Sequence, residues 1–196
     1  MKKIFAFVTA LLIAVTVVSC GDKNEGMTGY AKGIVSEKTY ESEWAGVSYV
    51  IPDELNVLSE EDTYLLMGMT KEDIEKGIDV SALDNVYELY GASADSSMVI
   101  INTFKNIDTA AKIADMKAEF DGKINDLLKP SYGEETAVTY DGVEFTRLDV
   151  TASAPDFVMY QTYLLKDVDE HVFCVSAAAY TKEKVTELLD GIKSDK

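Results

Sequence analysis

Histidine and cysteine, which supply most zinc ligands and many nucleophilic sites, are scarce in this sequence. The chain has one histidine, His171, and two cysteines, Cys20 and Cys174. A single histidine excludes multi-histidine metal sites. His171 and Cys174 are three residues apart in a predicted strand, so their side chains point to opposite faces and cannot form a Cys–His pair. We therefore predict no metal site and no cofactor, and we expect Cys174 to be a small buried side chain.

Sequence motifs for common catalytic sites are also missing. The segment "GASAD" at 91–95 is not a G-x-S-x-G nucleophile turn, no Ser-x-x-Lys occurs, and no glycine-rich segment matches a phosphate loop. Carboxylate pairs carry little information, because some of the 35 acidic residues must lie close together by chance. The segment "DVDE" at 167–170 could bind calcium weakly, but an acidic turn is the favoured interpretation since calcium-loop spacing is absent. The sequence thus predicts no catalytic residue and no enzyme activity.

Basic residues are outnumbered, with 18 lysines and arginines against 35 acidic residues. Removal of residues 1–19, which hold two lysines and no acid, would change the net charge from −17 to −19. Such a surface repels nucleic acid phosphates and anionic lipid headgroups. We therefore exclude nucleic acid as a partner, and interpret the acid excess as a solubility feature or, alternatively, as a means of collecting cations.

The N-terminus has the pattern of a secretion signal. Lys2 and Lys3 precede the uncharged apolar run 4–18, which fits a signal-peptide core of roughly 7–15 residues and is shorter than the about 20 needed for a membrane span. The run ends in Val-Val-Ser-Cys at 17–20, which resembles a bacterial lipobox. The resemblance implies acylation of Cys20 and cleavage before it. The alternative is an ordinary cleaved signal with an incidental cysteine.

These features predict the domain organisation and the cellular location. Residues 1–19 are a lipoprotein signal peptide, 20–37 a lipidated cysteine with a flexible, glycine-bearing tether, and 38–196 the folded domain. The acyl chains on Cys20 would hold the protein in a membrane of the cell envelope, with the body outside the cytoplasm. Cys174 would then have no disulfide partner.

The domain sequence alternates strand and helix patterns. Hairpins are predicted around Ala45-Gly46, Ala94-Asp95, Asp141-Gly142 and 167–169. Helices are predicted to begin at Ser59, Thr70, Asp108 and Thr181, the last with an apolar stripe that includes Ile192. Several strands are apolar on both sides, which indicates that both sheet faces are covered. We predict an α+β fold, an α/β/α sandwich whose mostly antiparallel sheet of about seven or eight strands is covered by helices on both faces.

The order of these elements resembles that of small bacterial lipoproteins with a PsbP-like sandwich domain. The resemblance covers residues 38–194 and includes the strings "VSALDNVYELYG" and "YQTYLLK". It implies a non-enzymatic binding or accessory domain of the cell envelope. No catalytic signature accompanies it.

Tyrosine is abundant, with eleven in the chain. Tyr87, Tyr90, Tyr160 and Tyr163 lie on predicted strands, and the odd spacing within each pair predicts that its two members face opposite ways. Aromatic side chains can line a cleft for a peptide, glycan or small ligand, whereas sheet packing with the hydroxyl reaching water is the favoured alternative. The sequence therefore predicts an anchored envelope protein that binds another envelope component or, alternatively, a small ligand in an aromatic cleft.

Overall fold

The computed structural model describes residues 29–77, 79–123, 129–155 and 157–195. Cys20 and the predicted signal peptide lie outside this part of the chain. Within it, no helix combines the length and the hydrophobicity needed to cross a bilayer.

The described residues form twelve strands, four α-helices and a 3-10 turn at Val80–Ala82. The helices are α1 Glu60–Leu66, α2 Lys71–Glu75, α3 Thr109–Lys123 and α4 Lys182–Leu189. The strands are β1 Ile34–Val35, β2 Thr39–Ser42, β3 Val47–Val50, β4 Asn56–Val57, β5 Asn85–Ala92, β6 Met98–Phe104, β7 Lys129–Tyr132, β8 Thr136–Tyr140, β9 Val143–Ala154, β10 Phe157–Val168, β11 His171–Ala179 and β12 Ile192–Ser194.

An eight-stranded antiparallel sheet is the centre of the fold. Its order is β4-β5-β6-β11-β10-β9-β7, and β8 pairs with the other end of β9. The hairpin turns fit their residues: Asp141 and Gly142 adopt φ of 46° and 85° between β8 and β9, and Asp169 adopts φ of 53° between β10 and β11. Both central positions of a type I′ turn require positive φ, which is why Asp-Gly predicts this hairpin.

One face of the large sheet is covered by helices. Ile113, Met116 and Phe120 of α3 pack on it, and Leu66 of α1 packs beside Tyr90 of β5. The predicted starts of these helices are confirmed, since Ala111 N–H donates to Asp108 Oδ1 at 2.8 Å and Ser59 Oγ accepts from Asp62 N–H. Thr70 and Asp73 form the capping box that begins α2.

The opposite face is covered by α4 together with a second, four-stranded sheet of order β1-β2-β3-β12. Tyr40 of β2 stacks on Phe173 of β11 with ring centroids 6.4 Å apart. Both side chains are fully buried. The predicted α+β sandwich of mostly antiparallel strands is therefore confirmed. One of its two outer layers consists of a helix and a second sheet.

The C-terminal helix is shorter than its apolar stripe predicted. It ends at Leu189, and Ile192 lies in β12, where it pairs with Tyr49 of β3. Gly191 allows this change of direction because a Cβ at this position would lie 2.5 Å from the carbonyl oxygen of Val50. The prediction that Ile192 belongs to the helix was wrong, because residues 192–194 form a strand that pairs with β3 in the second sheet.

Strand β9 contributes to both cores. Val143 and Phe145 face the second sheet, whereas Leu148 and Val150 face α3. The pairing of β9 with β8 and β10 has no register shift. The apolar residues of β9 change from odd to even positions after Phe145 because both faces of this strand are buried, and the strand has no bulge there.

Residues 29–37, which the sequence assigned to the tether, contact the folded body. Tyr30 packs edge-on against Trp44 at 5.1 Å between ring centroids. Gly33 N–H donates to Glu88 Oε2 at 2.8 Å, and β1 pairs with β2.

Candidate ligand-binding cleft

The four tyrosines singled out in the sequence do not form one cleft. Tyr87, Tyr90 and Tyr163 are at most 7% exposed and lie on the face of the large sheet that the helices cover, whereas Tyr160 lies on the other face. The prediction that Tyr160 and Tyr163 point in opposite directions is confirmed.

The same prediction for Tyr87 and Tyr90 was wrong because β5 contains a β-bulge. The pairing register with β6 shifts between Tyr87 and Leu89, so Glu88 is the extra residue. One extra residue changes the side-chain alternation, which brings Tyr87 and Tyr90 to one face. Glu88 points to the other face, into the space between the two sheets.

The three buried tyrosines pack as core residues. Tyr163 O–H donates to Gln161 Oε1 at 2.7 Å, and Tyr90 O–H lies 3.9 Å from the sulfur of Met98. Burial raises the pKa of Tyr163 well above its usual value, so its hydroxyl stays protonated. These rings therefore contribute packing and internal hydrogen bonds to the sheet.

Tyr160 lines a surface cleft of about 290 Å³. The floor is formed by β9 and β10, one wall by α4, and the other wall by the end of β7. Gly133, which follows β7, holds this wall through its N–H donation to Asp149 O at 2.8 Å. The lining residues are Ser131, Tyr132, Gly133, Arg147, Asp149, Val150, Thr151, Tyr160, Gln161, Thr162, Lys182, Val185 and Thr186.

Arg147 is the principal charged group of this cleft. Its Nε donates to both carboxylate oxygens of Asp149, at 2.9 and 3.1 Å. Thr162 donates its hydroxyl to the same carboxylate at 2.6 Å, which fixes the position of Asp149. Among the described residues, the terminal Nη groups of Arg147 have no hydrogen-bond partner. The guanidinium can therefore donate these two N–H groups to the two oxygens of another group.

Lys182 adds a second positive charge. Its Nζ lies 5.4 Å from the centroid of the Tyr160 ring, a cation–π distance. Thr181, which caps α4 by accepting from Lys184 N–H, places Lys182 at the first turn beside the cleft. With Arg147, Lys182 and Asp149 as its charged lining residues, the cleft is locally positive in a chain of net charge −17.

Tyr160 was predicted from the sequence as a candidate ligand-binding residue, whereas Arg147 and Lys182 were not. A signal for Arg147 was present, because it is the only arginine among 196 residues. Nothing in the sequence near 182 shows that α4 packs against β10 and β11 beside this cleft, since that contact depends on the whole sheet order.

A buried carboxylate between the two sheets was also missed. Glu88 is 3% exposed and accepts hydrogen bonds from Tyr40 O–H at 2.6 Å, Gly33 N–H at 2.8 Å and Thr103 O–H. Burial and then the nearby Glu88 raise the pKa values of Tyr40 and Tyr30. This network ties β2, β5, β6 and the segment before β1 together.

His171 and Cys174 are separated as predicted. His171 lies 6.1 Å from Trp44 between ring centroids, and its Nδ1 accepts from Asn106 N–H at 3.1 Å. Burial lowers the pKa of His171, which favours the neutral ring. Cys174 is 2% exposed in the core under α3, and burial raises the pKa of its thiol to about 12.

The acidic segment 167–170 borders an open depression together with residues 106–108. Asp167 Oδ1 accepts from both the N–H and the hydroxyl of Thr109, so this carboxylate caps α3. In the part of the chain that the structure describes, no three His, Cys, Asp or Glu side chains are grouped to hold a metal ion.

No family model matches the sequence, and no curated protein matches it significantly. Among solved structures, the chain is similar to cyanobacterial PsbP (CyanoP) from Synechocystis sp. PCC 6803, with 12% identity and a TM-score of 0.47 over 89% of this chain and 98% of that one. It is also similar to LpqN, which is involved in cell envelope biogenesis of Mycobacterium tuberculosis, with 14% identity and a TM-score of 0.38 over 75% of this chain and 82% of that one. At such identities, a functional assignment must come from this chain's own residues.

Proposed function

We propose that this protein is a lipid-anchored, extracytoplasmic domain of the cell envelope. The observation that carries the proposal is the charged N-terminus and apolar run that end in Val-Val-Ser-Cys at 17–20. Nine peptide steps separate Cys20 from Gly29, the first described residue. Since an extended chain spans at most about 3.3–3.6 Å per residue, the body would lie within about 30 Å of the anchor.

The anchor is tested by metabolic labelling of the full chain with radioactive palmitate. We expect label and membrane fractionation in the wild type and in Cys174→Ala, and loss of both in Cys20→Ser. Cys174→Ala is the matched control because it removes the only other thiol. An unlabelled wild-type chain, or one that retains residues 1–19 by mass spectrometry, would contradict the proposal.

We further propose that the domain is a non-catalytic binding or accessory module. Three side chains of chemically reactive types have structural roles. Cys174 is buried in the core, His171 accepts a backbone hydrogen bond, and Glu88 accepts hydrogen bonds from three donors. A screen of the purified protein against hydrolase substrates should give no turnover. Turnover that a single acidic substitution abolishes would contradict this function.

A second candidate function is binding of a small ligand, and the cleft at Tyr160 favours it. Its volume of about 290 Å³ is near the lower end of small-molecule sites, which span roughly 300–1,000 Å³. A ligand present at 100 times its Kd should add about 2.7 kcal/mol to the free energy of unfolding. Thermal unfolding with a metabolite panel tests this, and a panel without any shift would argue for a protein partner.

A further inference from the structure

The cleft at Tyr160 combines an aromatic wall with two cations and one carboxylate. Arg147 uses Nε for Asp149, and its two Nη groups have no partner among the described residues. A guanidinium with a free pair of N–H groups matches the two oxygens of a carboxylate.

The charges of the cleft favour a monoanionic ligand. Arg147 and Lys182 together exceed Asp149 by one positive charge, and one bound carboxylate would neutralise that excess. A dianionic phosphate would leave one negative charge uncompensated inside a chain of net charge −17. The Coulomb balance therefore favours a carboxylate over a phosphate ester.

The walls indicate what the rest of the ligand looks like. The half-buried Tyr160 and the more deeply buried Val185 are apolar lining residues, and Thr151 and Thr186 line the cleft beside them. A planar or short apolar group can stack on Tyr160 while its carboxylate meets Arg147.

We propose that this cleft binds a small carboxylic acid whose carboxylate pairs with Arg147 and Lys182 and whose apolar part packs on Tyr160. This inference rests on the second function proposed above, small-ligand binding, and adds the chemical class of the ligand.

The test uses three probes of similar shape and different charge: benzoate, phenyl phosphate and neutral benzamide. Each is titrated into the full mature chain as purified from cells, and binding is followed by backbone amide shifts in NMR. We expect saturable shifts from benzoate at the cleft residues Thr151, Tyr160, Thr162, Lys182 and Thr186, with about tenfold weaker binding of benzamide and of phenyl phosphate.

Two variants test the cations separately. Arg147→Gln and Lys182→Met should each weaken benzoate binding about tenfold. Lys182→Met should fold normally, because Lys182 is exposed and its ammonium group lies over the face of the half-buried Tyr160 ring. Lys71→Met is the matched control, since it removes one charge from a side chain that is 74% exposed and outside the cleft, and benzoate binding should not change.

The possible failures can be told apart. Benzamide or phenyl phosphate binding in the cleft as tightly as benzoate would overturn the carboxylate assignment and keep small-ligand binding. Equal loss of benzoate binding in Lys71→Met would also overturn it, because the effect would then be one of net charge. Absence of saturable shifts with all three probes, or shifts confined to other residues, would overturn both proposals.

Discussion

The hydroxyl of Tyr40 donates a 2.6 Å hydrogen bond to the carboxylate of Glu88, between the two sheets. The two residues are 48 positions apart, and the β-bulge in β5 directs Glu88 into this space. The same carboxylate accepts from Gly33 and Thr103. One buried acid thus connects the second sheet, the large sheet and the segment that leads towards Cys20.

Substitution of Glu88 should therefore destabilise the fold strongly. Glu88→Ala leaves the buried hydroxyls of Tyr40 and Thr103 and the part-buried N–H of Gly33 without their acceptor, which should lower the free energy of unfolding by about 3 kcal/mol. Urea denaturation measures the change. Glu144→Ala is the matched control, because Glu144 is exposed on β9 and should change stability by no more than about 0.5 kcal/mol. Equal effects of the two substitutions would show that the Glu88 network does not stabilise the fold.

High pH should destabilise the protein, and part of the effect should come from Cys174. Burial raises the pKa of its thiol from 9.0 to about 12, so the folded state retains a proton that the unfolded state loses. The stabilisation is complete below pH 9 and is lost between pH 9 and 12, with a slope of about 1.4 kcal/mol per pH unit for one group. Urea denaturation at several pH values in this range measures how the free energy of unfolding depends on pH. This dependence should be weaker in Cys174→Ala. An unchanged dependence would show that a group other than Cys174 retains the proton in the folded state.

The same substitution at two glycines should have opposite effects. Gly122 in α3 has open space around its Cα, so Gly122→Ala should raise stability by about 0.5–1 kcal/mol through helix propensity. Gly191→Ala should lower stability by about 1–3 kcal/mol, because its Cβ would lie 2.5 Å from Val50 O and force the backbone to shift. Thermal unfolding of both variants checks the signs, and a stabilising Gly191→Ala would contradict the close contact of β3 with the turn before β12.

Lys112 of α3 should be replaceable by an apolar residue. It is 7% exposed, its Nζ lies 3.7 Å from the centroid of Phe104, and burial lowers its pKa. Because the charged form is disfavoured in the folded state, Lys112→Met should be neutral or stabilise by about 1 kcal/mol at pH 7. Urea denaturation tests this, with Lys117→Met, which breaks the 2.7 Å ion pair with Glu135, as the comparison. A loss of more than about 2 kcal/mol would mean that the Lys112 charge is needed.

Local features of the fold could be predicted from the sequence. The turn at Asp141-Gly142, the capping box of Thr70 and Asp73, and the helix starts at Ser59, Asp108 and Thr181 depend on side chains within a few residues of one another. Apolar residues point to both faces of β10 and β11, and this pattern similarly predicted a sheet covered on both faces.

Other features could be decided only by contacts between distant segments. The sequence by itself determined the helix caps, hairpins and layered α+β class, because short-range hydrogen bonds and apolar periodicity specify them. The tertiary structure decided that Ile192 is a strand residue, that Tyr87 and Tyr90 share a face, and that Arg147 and Lys182 line the same cleft as Tyr160. Strand order, bulge position and helix docking bring residues tens of positions apart together, and no pattern within one segment encodes such a meeting.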